Sequence, residues 1–541
     1  MSVRNAFVLL LALSALTFLV ACGGGGGTIT KPVPPPSGGF SNSNLNGTYV
    51  FSVSGTDANG APYAIVGTFT ANGSGGITGG TLDINDADTT RFTTGPIAGT
   101  SIGNNGSYGV SVDGRGTAKL PTSTPFGTIQ LDFVLEDSSD GLVTEFDNNG
   151  TGSGTLDLQS SGTTPSGTYA FSFSGVAGTT PLAAVGNFTL GSGGTISAGL
   201  EDLNGGGIPY PNNTLTGTVV LGPSTTPAST LSASGFQSNG ALAFDVYAID
   251  ATHLKFIETD EFATLSGDAF SQTTTTIPTG TLAFTLAGGV STPIAVGGFI
   301  VTDGAGNITT ASSEDVNNGG NLSASPISFS GTYAAAGAGR STLSPGTGFV
   351  GGTTYAAYPS SGGLLLLEID GSGGMMAGAA YLQSSTTFAA QGYGLNLSGE
   401  NGGGATGTPA EVDDIAEFTA TSSGATVTGI IDENSTVGSV FDLALNGTYV
   451  APDSHGRGQF PSVTAGNSTT STLNGGFALT FYTVDGTTFP FIESDSTQVS
   501  TGVFVMQSTP GASAAIAKAH SLFVPHPLIH SHATRTKQKQ K

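Results

Sequence analysis

Four carboxylate pairs with the spacing Glu-x-Asp recur along the chain, each directly after an apolar run. The pairs are Glu145/Asp147, Glu258/Asp260, Glu368/Asp370 and Glu493/Asp495. Because side chains at i and i+2 of a strand project to one face, such a pair offers the two carboxyl groups that a glycosidase uses. A hydrolase normally needs one such site, whereas this pair occurs four times, so we expect a structural role in the turns at the strand ends.

A second acidic element, Asp-x-Asn, also occurs four times, and its oxygen atoms are of the type that Ca²⁺ prefers. The candidate ligands are Asp83, Asp202, Asp315 and Asp432. No copy matches the full EF-hand loop, and Asp, Asn and Gly are ordinary residues of β-turns. The sequence therefore predicts no cofactor, with Ca²⁺ as the one metal that its ligand types would suit.

Three arginines, Arg115, Arg340 and Arg457, follow a glycine in otherwise base-poor segments, and the second copy of the repeat lacks this arginine. Two functions fit a repeated guanidinium in a glycine-rich turn. It can pair with the carboxylates of its own unit, which is the interpretation we favour, or it can present itself to an anionic ligand.

Residues for nucleophilic catalysis are scarce. Only His253 and His455 precede the basic C-terminal tail, no Gly-x-Ser-x-Gly element precedes a helix, and the one cysteine is Cys22. We therefore expect a protein that is not an enzyme. The fourth copy alone adds a cluster of carboxylates near a histidine, and it supports the alternative of a glycosidase-like hydrolase; these acids are Glu411, Asp413, Asp414 and Glu417.

The chain carries 37 acidic and 13 basic residues, for a net charge of −24. Such a charge disfavours nucleic acid as a partner and favours solubility, cations or basic partners. An acidic secreted protein commonly carries its charge on a solvated surface, and we expect that here.

The elements above belong to a fourfold internal repeat. Tyr49-Val-Phe-Ser-Val-Ser-Gly55 returns as Tyr169-Ala-Phe-Ser-Phe-Ser-Gly175, then as Leu282-Ala-Phe-Thr-Leu-Ala-Gly288, and more weakly as Tyr393-Gly-Leu-Asn-Leu-Ser-Gly399. Each unit ends in one more strand that carries a glutamine. Those glutamines are Gln159, Gln272, Gln383 and Gln507. Short alternating runs between Gly, Asn, Asp and Ser clusters predict an all-β protein.

About eight antiparallel meandering strands in each unit of roughly 115 residues suit a small up-and-down β-barrel. The Gly-x-Tyr strand that opens the first two units is similar to the Gly-x-Trp strand that opens lipocalin- and avidin-type barrels. Two alternatives remain: each unit can be a β-sandwich, or it can supply two blades of an eight-bladed propeller. The predicted units span 43–161, 162–276, 277–386 and 387–508, followed by a basic, histidine-containing, disordered tail at 509–541.

The N-terminus has the features of a signal peptide: Arg4, an apolar run from Ala6 to Phe18, and then Leu19-Val20-Ala21-Cys22. This last tetrapeptide resembles the lipobox of bacterial lipoproteins. The resemblance implies removal of 1–21, diacylation of Cys22 with acyl chains such as palmitate, and anchoring in a membrane. A glycine- and proline-rich segment, 22–42, then fits a tether.

Together these features predict a lipid-anchored envelope protein in the bacterial outer membrane or at the cell surface, with its body in the periplasm or outside the cell. Its repeated β-domains would act as a non-catalytic binding or structural module, similar to an adhesin, with an envelope or extracellular partner. The alternative is the secreted hydrolase that uses the carboxylates of the divergent fourth unit.

Overall fold

The computed structural model describes residues 39–508, apart from 94, 161–163, 192, 221–228, 235–240, 347, 402–409 and 467–475. The predicted signal peptide, Cys22, most of the tether and the tail lie outside the described residues. Among the described residues, no helix has the length and apolar character needed to cross a membrane.

The described residues form 35 strands and one short 3-10 turn, Asn42–Asn44. The first unit contains β1 Asn46–Asp57, β2 Pro62–Asn72, β3 Gly76–Asp86, β4 Ile97–Ile102, β5 Gly106–Val110, β6 Arg115–Pro121, β7 Thr128–Leu135, β8 Asp140–Phe146 and β9 Gly150–Leu158. The second contains β10 Gly167–Ala177, β11 Thr180–Leu190, β12 Thr195–Gly205, β13 Ile208–Thr214, β14 Thr216–Val220, β15 Ser229–Ser234, β16 Ala241–Asp250, β17 His253–Glu258 and β18 Thr264–Ser271.

The other two units repeat this order. The third contains β19 Gly280–Gly288, β20 Ile294–Thr302, β21 Asn307–Asn318, β22 Asn321–Leu322, β23 Ile327–Gly337, β24 Arg340–Pro345, β25 Tyr355–Ser360, β26 Gly363–Glu368 and β27 Met376–Leu382. The fourth contains β28 Gly392–Asn401, β29 Ala410–Thr421, β30 Thr426–Ser435, β31 Gly438–Val450, β32 Arg457–Ala465, β33 Phe477–Tyr482, β34 Thr488–Glu493 and β35 Gln498–Met506.

Each unit is an antiparallel barrel in which eight strands follow one another around a circle. In the first unit β9 pairs with β1, β1 with β2 and β2 with β3, and the circle continues through β5 to β8. The short strand β4 also pairs with β3 and is a ninth strand of this sheet. In the fourth barrel, the single long strand β31 pairs with β30 over the positions that β4 and β5 take beside β3. The all-β prediction and the tandem barrels are confirmed, and the sandwich and propeller alternatives are wrong.

Strand alternation explains why these sequences close into barrels. In β1 the side chains of Tyr49, Phe51 and Val53 belong to the interior cluster of the first barrel. Val50, which points to the opposite face, belongs to a separate apolar cluster with residues of the second barrel. Both faces of the strand are therefore buried, one inside the barrel and one against a neighbour, because successive side chains point to opposite faces.

The barrel interiors are filled by their own apolar and aromatic side chains. In the fourth barrel, for example, Phe489, Phe504 and Tyr393 pack with ring centroids 4.8–5.7 Å apart. Equivalent apolar clusters occupy the other three barrels. Apolar side chains of the described residues thus form a core inside each barrel.

Candidate functional site: the seams between barrels

The barrels contact one another through four equivalent surfaces, which we call seams. Barrel 1 meets barrel 2 in the first seam, barrels 2 and 3 form the second, barrels 3 and 4 the third, and barrel 4 returns to barrel 1 in the fourth. Each seam places the first three strands of one barrel against the last strands of the next. The contacts are head-to-tail and close on themselves, so the four barrels form a ring.

The asparagine of each Asp-x-Asn element crosses a seam. Its side-chain N–H group donates to the backbone carbonyl of the Glu-x-Asp glutamate in the following barrel, at 2.7–3.1 Å in all four seams. The pairs are Asn85 with Glu258, Asn204 with Glu368, Asn317 with Glu493, and Asn434 with Glu145. Two elements that the sequence shows far apart are thus partners across each barrel boundary.

The aspartate of the same element accepts hydrogen bonds from the next barrel. Arg340 forms a bidentate pair with Asp202 at 2.7 Å, and Arg457 pairs in the same way with Asp315 at 2.8 and 2.9 Å. In the fourth seam, Arg115 lies 3.2 Å from Asp432. Arg115 also pairs with Asp113 of its own unit at 3.2 Å, as we expected, whereas Arg340 and Arg457 pair with an aspartate of another unit, which corrects that interpretation for these two. Each belongs to the contact with the preceding barrel.

A tyrosine supports the aspartate in three of the seams. Tyr358 donates to Asp202 and Tyr482 to Asp315, at 2.6 and 2.8 Å, beside the arginines. In the first seam Tyr247 donates to Asp83 at 2.6 Å, and the second unit supplies no arginine from a glycine-arginine turn. Burial, followed by the charge of Asp245, raises the pKa of Asp83 to about 7.

The glutamine after each Glu-x-Asp pair completes the seam. Gln507 donates to the carbonyls of Asp113 and Leu135 in barrel 1, at 2.8 and 3.0 Å. Its amide occupies the space where a Cβ of Gly114 would lie, 2.5 Å from the side-chain nitrogen, and Gly114 has φ +87°. Gly339 and Gly456 receive Gln272 and Gln383 in the same way. The glycine of the glycine-arginine turn is therefore required for close approach.

The aspartate of each Glu-x-Asp pair shapes the turn at the end of its strand. One carboxylate oxygen accepts the backbone N–H of a residue 17 positions upstream. The other accepts the N–H two positions downstream. Asp147, Asp260, Asp370 and Asp495 all bond in this way. Because both carboxylate oxygens accept backbone N–H groups, this aspartate stabilises the turn in every copy.

The glutamates of those pairs lie on the interior face of their barrels and are at most 2 % exposed. Burial is the largest cause that raises the pKa of each glutamate. The pKa rises to about 10 for Glu258 and to about 7 for Glu368, and it lies well above the usual value for Glu145 and Glu493. Tyr63 donates to Glu145, and Ser500 donates to Glu493 at 2.9 Å. A neutral carboxyl group at these positions avoids the cost of a buried charge.

The additional acids of the fourth unit divide between the fourth seam and the barrel interior. Asp413 accepts Thr151 and Ser153 of barrel 1 at 2.7 and 2.8 Å, and Glu411 accepts Thr56. Asp414 lies on the opposite face of β29, directly across from Glu433 of β30, and is fully buried. Glu411 and Asp413 thus lie together in the fourth seam, whereas Asp414 lies on the other face of the strand.

The remaining titratable candidates occupy different places. His253 is 2 % exposed and its Nε2 lies 2.6 Å from Asp268, in the first seam, where Lys255 bridges Asp268 and Thr155 of barrel 1. His455 lies in an exposed turn. Among the described residues, no group of three His, Cys, Asp or Glu side chains is arranged to hold a metal ion.

Acidic side chains are buried far more often than we expected. Of the 37 acidic residues, 24 are buried, so the expectation of a mainly solvated acidic surface is wrong. The signal that could have revealed this is the place of the Asp-x-Asn element, which lies within a strand and not in a turn in every copy.

Comparisons with known proteins leave the chain without a family. No family model matches it, and no curated protein matches it. Among solved structures, transferrin binding protein B, isotype 1, from serogroup B Neisseria meningitidis matches with a TM-score of 0.20 and 12% identity, over 68% of this chain and 84% of that one. Kievitone hydratase from Nectria haematococca matches with a TM-score of 0.13 and 10% identity, over 88% and 98%. Similarities at this level do not bear on function.

Proposed function

We propose that this chain is a non-catalytic structural module of a bacterial cell envelope, anchored by lipid at Cys22, whose four fused barrels present their outer loops to envelope or extracellular partners. The observation that carries the proposal is the use of the repeated polar residues. The Asp-x-Asn elements, the arginines and the glutamines all join one barrel to the next, around the full ring.

Two further observations support a structural role over a catalytic one. In the part of the chain that the structure describes, apolar side chains occupy the barrel interiors, which favours packed cores over a lipocalin-like ligand cavity. The repeated glutamates are buried inside the barrels and their paired aspartates bond to backbone N–H groups, which favours a structural role for both over a glycosidase pair.

The lipid anchor is tested by metabolic labelling with an alkyne analogue of palmitate and by fractionation of cells. Wild-type protein should take up the label and sediment with membranes, whereas Cys22→Ser should lose the label and move to the soluble fraction. Thr28→Ser, in the tether, is the matched control and should behave as the wild type. Label and membrane association that persist in Cys22→Ser would overturn the anchor.

The non-catalytic role is tested on the purified protein with a panel of chromogenic glycosides. We expect the wild type to hydrolyse these glycosides no faster than the variants Glu493→Gln and Glu417→Gln do. Hydrolysis by the wild type that either substitution abolishes would favour the hydrolase alternative over the structural role.

A further inference from the structure

Lys255 is a buried lysine in the first seam, on strand β17 of barrel 2. Its side chain is 1 % exposed, and a lysine is almost never fully buried unless it is paired. The other seams place an arginine beside the aspartate of the Asp-x-Asn element, whereas the second unit has no glycine-arginine turn. Barrel 2 therefore brings a primary amine to its contact with barrel 1, and an amine, unlike a guanidinium, can act as a nucleophile.

Two aspartates from different barrels contact the nitrogen of Lys255. Asp268 of β18 lies directly opposite Lys255 on the neighbouring strand, with 3.1 Å between Nζ and Oδ1. Asp157 of β9 belongs to barrel 1, and its Oδ2 lies 3.5 Å from the same nitrogen. The Nζ group also donates to the hydroxyl of Thr155 in barrel 1 at 2.7 Å. The amine of one barrel and a carboxyl group of the other are therefore held in contact, as two groups that react with each other must be.

The cluster around Lys255 is buried throughout. Asp157 and Asp268 are at most 4 % exposed. The buried His253 lies on the same face of β17 as Lys255, with Nε2 2.6 Å from Asp268 and its ring stacked on Phe270. Removing an ammonium and a carboxylate from water is costly, and their mutual attraction offsets this cost only in part. A reaction that converts the two ions into a neutral amide would remove both buried charges.

We propose that Lys255 and Asp157 form an isopeptide bond, which joins barrel 2 covalently to barrel 1. The Nζ atom attacks Cγ of Asp157, a C–N bond forms, and one C–O bond of the carboxyl group breaks. Of the three ammonium protons, one stays on the amide nitrogen and two leave with the carboxyl oxygen as water. The atoms and charges balance without any co-reactant. Because both reactants belong to the chain, the reaction needs no open cavity.

Asp268 is placed to carry the proton that this reaction moves. Burial lowers the pKa of Lys255, but the charges of Asp268 and Asp157 outweigh burial, and the pKa is raised. The reaction therefore starts from an ammonium ion, which must give up a proton before it attacks. Asp268 contacts both the Lys255 nitrogen and His253, so it is the base, and Asp157 across the seam is the carboxyl group that is attacked.

The bond would strengthen the one contact surface whose aspartate has no arginine from a glycine-arginine turn. It extends the structural role proposed above to a covalent link between barrels. It does not depend on the lipid anchor, because every reacting group lies within the barrels.

The test is peptide mapping by mass spectrometry of the full-length protein, denatured before digestion. Trypsin cleaves after a lysine only when its amino group is free, so we expect the bond between Lys255 and Phe256 to stay intact. A chymotryptic digest should contain a linked pair of peptides, one with Lys255 and one with Asp157, that weighs one water molecule less than the sum of its parts. Complete tryptic cleavage after Lys255 in the wild type, or a link to Asp268 instead, would overturn the proposal.

Three variants assign the roles of the residues. Asp157→Ala should abolish the linked pair, and Asp268→Asn should reduce its yield at least tenfold because the base is lost. The matched control is Lys119→Arg, which changes an exposed lysine of barrel 1 and should leave the yield unchanged. A yield equal to that of the wild type in Asp157→Ala or in Asp268→Asn would refute the assignment. If a variant does not fold, the digest of the wild type still decides whether the bond exists.

Discussion

Glu201 offers a direct measurement of what a buried acid costs in this fold. It lies in β12 with 0 % exposure, on the face that also carries the core residue Leu203. Neither carboxylate oxygen accepts a hydrogen bond from the described residues. Burial, followed by the charge of Asp202, raises the pKa of Glu201 from 4.5 to about 8.

The sign and size of the effect follow from linkage. Because the pKa is higher in the folded state, the stabilising contribution of the neutral carboxyl is complete below pH 4.5 and is lost as the pH rises to about 8. At about 1.4 kcal/mol for each pH unit, the loss is on the order of 3 kcal/mol at pH 7 and about 5 kcal/mol above pH 8. Glu201→Gln cannot ionise and should escape it.

Urea unfolding followed by tyrosine fluorescence measures this difference, since the chain has 13 tyrosines and no tryptophan. The free energy of unfolding of Glu201→Gln should be close to that of the wild type at pH 4.5 and should exceed it by several kcal/mol at pH 8. Glu261→Gln, which alters an exposed glutamate of the same barrel, should track the wild type at both pH values. A wild type–variant difference that does not change with pH would refute the reasoning.

Three further predictions concern the whole ring. Arg340→Met should lower the free energy of unfolding by about 3–5 kcal/mol, because Asp202 stays buried, and adding Asp202→Asn should restore much of the loss in the same urea assay. The wild type should melt at a higher temperature at pH 5 than at pH 8, since its buried carboxyls have raised pKa values; a melting temperature that increases with pH contradicts this. Deletion of 387–508 should expose two complementary seam faces and produce polymers whose size grows with concentration in light scattering, whereas a monodisperse monomer would argue against ring closure.

The barrels were predictable because their determinants are local. Alternating apolar residues, glycine-rich turns and a motif that returns in register identify strands and a repeat without any knowledge of long-range contacts. The motifs that begin at Tyr49 and Tyr169 both lie in the first strand of a barrel. A unit length of roughly 115 residues then limits the number of strands that can close.

The seams were not predictable from the same patterns. Arg340 and Asp202 are 138 residues apart, and Asn434 and Glu145 are 289 residues apart. When every unit carries both partners of a contact, the sequence does not distinguish pairing within a unit from pairing with the next unit. Only the faces of the strands decide it: Asp202 points away from the barrel 2 interior, toward Arg340 of barrel 3.

The first seam shows how the ring tolerates a missing partner. Where the other seams place an arginine beside the aspartate, Asp83 has Tyr247 and lies near Asp245, with its pKa raised to about 7. The same seam gains Lys255, which is 1 % exposed and lies 3.5 Å from Asp157 of barrel 1. The buried cation of the first seam, Lys255, thus lies at a different position on the contact surface from the arginines of the other seams.

Closure of the ring makes the fourth seam different in kind from the other three. The first three join barrels that are consecutive in the chain, and a short connection already holds each pair together. The fourth joins barrel 4 to barrel 1, yet it uses the same glutamine, asparagine and arginine contacts. Because the chain keeps these two faces at a high effective concentration, the contacts can close the ring without the entropic cost of bringing separate molecules together. A head-to-tail surface that would otherwise propagate into a filament is satisfied within one chain.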